Sequence, residues 1–340
     1  MIDSVLLEFN LTEKILQIEN YGAGLINNTW KITMRNNVFI LQRVNDFVFK
    51  NPTDIENNIN KIATYLKHNH PEYNFIAPLK TKTEMEQVYI PSLGYFRMFP
   101  FLKNSFTLNV IETPQQAYEA AAQFGKFTKM LSGFDVASLK ITIPDFHNLS
   151  LRYKQFLIAT NNGNNERIKL ARQLIANLKS HYAIVEKFEA IKKDKNFKQR
   201  VTHHDTKISN ILFNKNGKGA CVIDLDTVMP GYFFSDVGDM IRTYVSPVSE
   251  EEQDFSKIKF RIEFYNALVE GYFEEMKDEL TNVEKNHFLF AGQFAIYMQS
   301  LRFLTDYLND NVYYGAQYET QNFIRAQNQF VLLNQLKEVV

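Results

Sequence analysis

The chain has 340 residues, enough for one large or two medium domains with a substantial core. Hydrophobic residues make up 45% and charged residues 22%, and Lys+Arg and Asp+Glu both number 38. The formal net charge is therefore zero, which gives no general attraction to nucleic acid or to an anionic membrane and leaves any anion-binding patch to be local.

The opening, MIDSVLLEFNLTEK, has no basic segment of the secretory kind, and no apolar run approaches the roughly 18 residues of a spanning helix. A cytoplasmic protein is expected. Ile15–Asn20 reads as a strand, Tyr21–Asn28 (YGAGLINN) as a turn, and Thr29–Met34 with Val38–Val44 as a hairpin across Arg35-Asn36-Asn37. Pro52 opens a helix to about His68, with Ile55, Ile59, Ile62 and Leu66 at helical spacing. Asn74–Thr81 and Gln87–Met98 read as strands, and Phe99–Lys103 as a hinge, because Pro100 interrupts a strand ladder. The texture then turns helical over Gln115–Met130, Asn165–Ile191, Glu251–Glu275, Val283–Asn309 and Glu319–Val340. A hairpin, Ile211–Phe213 with Ala220–Leu225 about NKNGKG, interrupts these helices. It contains Cys221, the single cysteine, which reads as a buried, inert thiol.

Residues 203–226, HHDTKISNILFNKNGKGACVIDLD, carry the chemistry. Asp205, then Asn210 five residues on, a hairpin, and Asp224 closing an apolar run follow the order of a phosphoryl-transfer site. Asp205 is the candidate general base, and Asn210 and Asp224 are candidate Mg²⁺ ligands through hard oxygens. All three are expected to converge. Asp226 would share a face with Asp224 if the strand continued regularly, as a further metal ligand or as a turn-capping carboxylate. Lys207 either neutralises the transferring phosphoryl group or is an ordinary exposed lysine. His203 and Asp236 are expected to brace the catalytic loop, and Arg242 to pair with Asp239 or reach the acceptor pocket. Gly22 and Gly24, with Asn27 where a third glycine would stand, form a turn able to cover nucleotide phosphates. Arg43 is the basic residue of the third strand and would pair with Glu56 of the following helix while holding ATP phosphates. The expected architecture is α+β and two-lobed, of protein-kinase type. A small β-rich nucleotide-binding lobe would span 1–101 and a mostly helical catalytic and acceptor-binding lobe 102–340, with ATP in the cleft between them.

The blocks GLINNTW, ILQRVN, HHDTKISNILF, VIDLDTVMPG, DVGDMIR and LRFLTDYLNDNVYY resemble the aminoglycoside phosphotransferase-like kinases. That group includes choline, homoserine, methylthioribose and sugar kinases, and the resemblance is nearest to bacterial N-acetylhexosamine 1-kinases. It implies transfer of the ATP γ-phosphoryl group, with Mg²⁺, to the anomeric hydroxyl of an N-acetylhexosamine, and contact of Arg302 and Tyr313 with the sugar. From the residues alone, Arg302 reads as a salt-bridging helix arginine and Tyr313 as a packed surface aromatic. Arg43 departs from the lysine found in many kinases and offers a fork rather than a point charge. Two alternatives stay open. One is a cationic acceptor of aminoglycoside, choline or homoserine type, for which Glu270, Glu274 and Asp306 are available acids; the other is a nucleotide-binding pseudokinase. The expected partner is a small molecule, an amino sugar in the first reading, with no nucleic acid and no membrane. The oligomeric state is open, a monomer included.

Overall fold

A computed structural model describes residues 2–22 and 26–339. The chain divides into two compact units, Met1–Phe106 with Met130–Pro144 and Leu212–Pro230, and Thr107–Lys129 with Asp145–Ile211 and Gly231–Val340.

The first unit holds a five-stranded antiparallel sheet. A short helix α1 (Ile2–Leu6) precedes β1 (Ile15–Asn20), β2 (Asn28–Met34) and β3 (Val38–Arg43), and the β2–β3 turn falls on Arg35-Asn36-Asn37 as expected. Helix α2 (Pro52–Asn69) starts on a proline, whose missing N–H costs nothing in the first turn. It buries Ile55, Ile59, Ile62 and Leu66. Strands β4 (Val88–Ile90) and β5 (Gly94–Pro100) complete the order β1-β2-β3-β5-β4. Alternation sorts the faces. Ile32, Leu41, Phe96 and Met98 enter a core with Val5, Leu6 and Phe9, while Gln42 and its register partner Arg97 lie on the other face.

Three local expectations are corrected here. Asn74–Thr81 is not a strand. It makes one bridge, Phe9 to Thr81, because Pro78 has no donor and restricts the residue before it. Gln87–Met98 is two strands, since the chain reverses at Ser92 (φ 64) and Gly94 (φ 96). Pro100 does not interrupt the ladder. It ends β5 opposite Phe39, and Phe101 N–H supplies the next bond, to Val38 O at 3.0 Å.

A two-residue strand β6 (Ser105–Phe106) leads to the helices α3 (Pro114–Met130), α4 (Leu149–Asn162), α5 (Asn165–Leu170), α6 (Arg172–Lys179) and α7 (Ala183–Lys193). The single helix expected over 165–191 is thus three, and α4 was not foreseen. Strand β7 (Arg200–Thr202) precedes the catalytic segment. Strands β8 (Ile211–Asn214) and β9 (Gly219–Val222) form the expected hairpin, with β6 alongside β8.

Of the remaining helices, α8 (Phe233–Tyr244) was not foreseen, and residues 251–261 hold only a short 3₁₀ turn, Phe255–Lys257. Helix α9 (Ile262–Met276) follows, then α10 (Asn282–Lys285), α11 (Phe288–Leu308) and α12 (Gln321–Val339). Helix α11 is the axis of the second unit and packs on α4, α8 and α12. The approach to α8 is close enough that a Cβ on Gly238 would strike the Ala291 carbonyl oxygen. No helix among the described residues is long and apolar enough to cross a membrane.

Candidate active site

In the second unit, β7 delivers the chain into a loop that buried carboxylates hold by its backbone. Asp236, on the first turns of α8, accepts the N–H of His203 at 3.0 Å and of His204 at 2.7 Å, one on each oxygen. Asp239, one turn on, accepts Thr206 N–H at 2.8 Å and is itself paired with Arg242 at 2.9 Å. The Tyr244 hydroxyl donates to Thr206 O at 2.6 Å. The backbone is thus held at His203, His204 and Thr206, on both sides of Asp205, while His203 packs edge-on against Phe124 and Phe127. His204 takes a left-handed backbone (φ 67), a conformation strained for a non-glycine residue and stable only where the surroundings over-determine it. Burial pushes the Asp236 carboxyl up to about 7, against the two N–H bonds that pull it down. Burial raises Asp239 as well, opposed by Arg242. Asp236 thus bonds the loop backbone at His203 and His204, and Arg242 pairs with Asp239 and with Glu250, at 3.0 Å.

This frame presents Asp205. Its Oδ2 accepts Lys207 Nζ at 2.9 Å and Asn210 Nδ2 at 3.1 Å, and Asn210 Nδ2 also reaches Asp205 O at 2.9 Å. Burial raises the Asp205 carboxyl, but the charge and hydrogen bond of Lys207 outweigh it and hold the group below the ordinary carboxylate range. The side chain is 27% exposed, so a solute can reach it. Because the amide nitrogen of Asn210 is tied to Asp205, its Oδ1 points elsewhere and accepts no bond among the described residues. A hard oxygen so placed suits Mg²⁺.

Arg302, on α11, reaches Gln299 Oε1 at 3.3 Å and the Tyr313 hydroxyl at 3.5 Å, and it lies over the rings of Phe146, Tyr313 and Tyr314. It makes no salt bridge among the described residues. Tyr313 is 70% exposed rather than packed. Asp306 takes the N–H groups of Tyr313 and Tyr314 at 2.7 and 3.0 Å, which sets the loop that carries both rings. Of the other acids named for a cationic acceptor, Glu270 and Glu274 are exposed, and Glu274 accepts the Tyr118 hydroxyl.

In the first unit, β9 ends at Val222; Asp224, two residues on, adopts the left-handed region (φ 61, ψ 61), and Leu225–Thr227 then form a 3₁₀ turn. The strand alternation that would put Asp226 beside Asp224 is therefore broken. Asp226 turns inward, 2% exposed, with Oδ1 2.5 Å from Arg97 Nη2 and Oδ2 accepting Asn27 Nδ2 at 2.8 Å. Gln42 Oε1 completes the cluster by accepting Arg97 Nε and Nη2 at 3.2 and 3.0 Å. Oδ1 is ion-paired without a hydrogen bond of its own, and removing one partner from such a buried pair costs about 3–5 kcal/mol. Asn27 also accepts Asn45 N–H at 3.0 Å, so it ties the glycine turn to Asp226. Gly22 has φ 79, which suits the turn; Gly24 lies outside the described residues. The expected Arg43–Glu56 ion pair is not formed. Arg43 faces the side of the sheet opposite Arg97, near Gly94 and Asp46, and the Glu56 carboxylate accepts Glu86 N–H and Gln87 Nε2, each at 2.9 Å.

Two polar residues escaped the sequence reading. Arg97 was legible in principle, as the one charge between Phe96 and Met98 in an alternating strand. Asn58 was not. It is fully buried on an apolar helix face, donates to Lys140 O and Val228 O, accepts Lys140 N–H, and so clamps α2 to the turn after Asp224.

Comparison with known proteins bears on the whole chain. A microcompartment-associated aminopropanol kinase superposes with TM-score 0.67 at 12% identity, covering 99% of this chain and 96% of that one. An aminoglycoside phosphotransferase from Alicyclobacillus acidocaldarius gives 0.65 at 12%, covering 99% and 95%. An amicoumacin kinase in complex with AMP-PNP, Ca²⁺ and Ami gives 0.65 at 14%, covering 100% and 96%. At these identities the likeness shows the fold, which is the α+β, kinase-like fold expected. The family model described as "Phosphotransferase enzyme family" matches residues 17–279, and the chain belongs to that family.

Proposed function

We propose that the protein is an ATP-dependent kinase of a small-molecule hydroxyl, and that its acceptor is the anomeric hydroxyl of an N-acetylhexosamine. The observation that carries the kinase reading is Asp205. It is an ionised, solute-accessible carboxylate with one oxygen gripped by Lys207 and Asn210, on a loop whose backbone is held by Asp236 and Asp239.

Asp205 accepts the proton of the acceptor hydroxyl as the oxygen forms its bond to the γ-phosphorus and the bond to ADP breaks. A carboxylate held below its usual range is a weak base, and phosphoryl transfer through a loose transition state asks for little early proton removal. Its first task is to orient the hydroxyl in line. Lys207, already within bonding distance of Asp205, is placed to meet charge on the equatorial phosphoryl oxygens. Asn210 Oδ1 and Asp224 would hold the metal in this reading, and a bound Mg²⁺ would supply positive charge that offsets the charge of the phosphates. Asp226 acts as a brace rather than a ligand. Gly22, Gly24 and Asn27 cover the phosphates in this reading; Arg43, on the sheet face opposite Arg97, is given no phosphate contact, and Glu56 acts indirectly through the loop at Glu86-Gln87. Arg302 and Tyr313 give the sugar a donor fork and an aromatic face, which a neutral ring needs.

The test is ADP release over an acceptor panel with Mg²⁺-ATP, followed by ³¹P NMR of the product. N-acetylglucosamine or N-acetylgalactosamine should give a sugar 1-phosphate. Turnover of choline, aminopropanol or an aminoglycoside without turnover of either N-acetylhexosamine would reject the acceptor assignment and leave the kinase assignment standing.

A further inference from the structure

Among the described residues, four arginines of the second unit have no carboxylate partner: Arg172, which is exposed, Arg261, which gives its donors to the carbonyls of Tyr244, Val245 and Ser246, and Arg152 and Arg302. Arg152, on α4, donates to Gln155 Oε1 at 3.1 Å and to Asp145 O at 3.0 Å, and its Nε is buried without an acceptor. Arg302 donates only to the neutral Gln299 and Tyr313. Among the described residues neither comes within 4.0 Å of a carboxylate oxygen, whereas Arg167, Arg200, Arg242 and Arg325 all do. The neighbouring acids are already engaged. Asp239 serves Arg242, Glu250 serves Arg242 and Arg325, and the Asp145 carboxylate accepts from Asn148.

The two cations feel one another: burial first, and the charge of Arg302 next, lower the Arg152 pKa. They also stand beside the catalytic loop. Arg302 lies 5.8 Å over Phe146, Phe146 stacks on His147 at 4.6 Å, and His147 Nδ1 is 3.3 Å from Nδ1 of His204, the residue before Asp205. Burial, then His204 and the surrounding arginines, hold His147 neutral, so it adds no charge of its own.

Half-buried like charges with no counter-ion are unfavourable, and a pair of guanidinium forks matches a carboxylate or phosphate. Building on the sugar-kinase reading above, we propose that Arg152 and Arg302 bind an anionic substituent of the acceptor, remote from the reacting hydroxyl. Within that reading the site favours a sugar that bears a carboxylate or a phosphate over its own neutral or aminated counterpart, so an N-acetylhexosamine carrying such a group is preferred to its unsubstituted parent.

The experiment compares kcat/KM for glucose, glucuronate, glucose 6-phosphate, glucosamine and N-acetylglucosamine. Calorimetric binding of glucuronate and glucose to the unaltered protein serves as a readout independent of turnover. Glucuronate or glucose 6-phosphate should exceed glucose at least tenfold, the two arms separating carboxylate from phosphate, and glucosamine should be poorest. Arg152→Gln should shrink the acid-to-neutral ratio at least tenfold, and Arg152→Lys should restore part of it. Equal values for glucose and both acids, or an Arg152→Gln variant that weakens every acceptor alike, would overturn the proposal. Turnover of N-acetylglucosamine with no preference for acids sinks this inference alone. Turnover of amino alcohols with no sugar used sinks the acceptor reading as well.

Discussion

Asp205 shares its Oδ2 between Lys207 and Asn210, and this one arrangement sets its charge state, its direction and its reach. Replacing Asp205 with alanine should lower kcat by about 10²–10⁴-fold, the usual worth of a positioned base, measured as steady-state ADP release. Asp236 makes the opposite case. Its folded pKa, about 7, lies above the unfolded value of an aspartate, so the folded protein holds this proton where the unfolded chain releases it. The associated stability is present at low pH and is lost as pH rises from about 4 to about 7. Asp236→Asn removes that dependence, so in urea unfolding the stability difference, wild type minus variant, should be larger at pH 4.5 than at pH 7.5. An unchanged difference would contradict the raised pKa. At this scale the spacing of Asp205, Asn210 and Asp224 was readable because each belongs to a local motif. The partners of Arg43, Glu56 and Asp226 were not, because each depended on which face a side chain takes. One left-handed residue, Asp224, breaks the strand alternation, and Asp226 is buried in an ion pair with Arg97.

Helix α8 carries Asp236 and Asp239 inward while burying Phe233, Phe234, Val237, Met240 and Ile241. Its polar residues obscured it in the sequence: buried acids that bond loop N–H groups look like surface residues in a hydrophobicity pattern. Helix α2 was plain from its apolar spacing, and the β2–β3 hairpin from its turn. The broken run α5–α6–α7 was not, since 3.6-residue periodicity continues across short interruptions. The distance between α8 and α11 is set at Gly238, which has no room for a methyl group against Ala291 O. Gly238→Ala should therefore destabilise the protein by about 1–3 kcal/mol, as overpacking does, read as a lower Tm and denaturant midpoint. It should also lower turnover, because α8 positions the loop that holds Asp205. A variant with wild-type Tm would show that the helices have slack.

Across the whole molecule, the family match over residues 17–279 and the superpositions give the α+β class and the kinase-like fold predicted from the motif blocks. A ligand that binds only the folded chain stabilises it by RT ln(1 + [L]/Kd), about 2.7 kcal/mol at a hundredfold excess over Kd. Mg²⁺-ATP should raise Tm accordingly, and ATP with a chelator should do so much less; equal shifts would remove the metal from nucleotide binding. Cys221 has a broader use. It is the single thiol of the chain, wholly buried in β9, with burial pushing its pKa up to about 12. Alkylating reagents attack thiolates in water, so modification must wait for this region to open. Mass spectrometry of one adduct, timed against urea or nucleotide, would then count molecules that have breathed, with no engineered label.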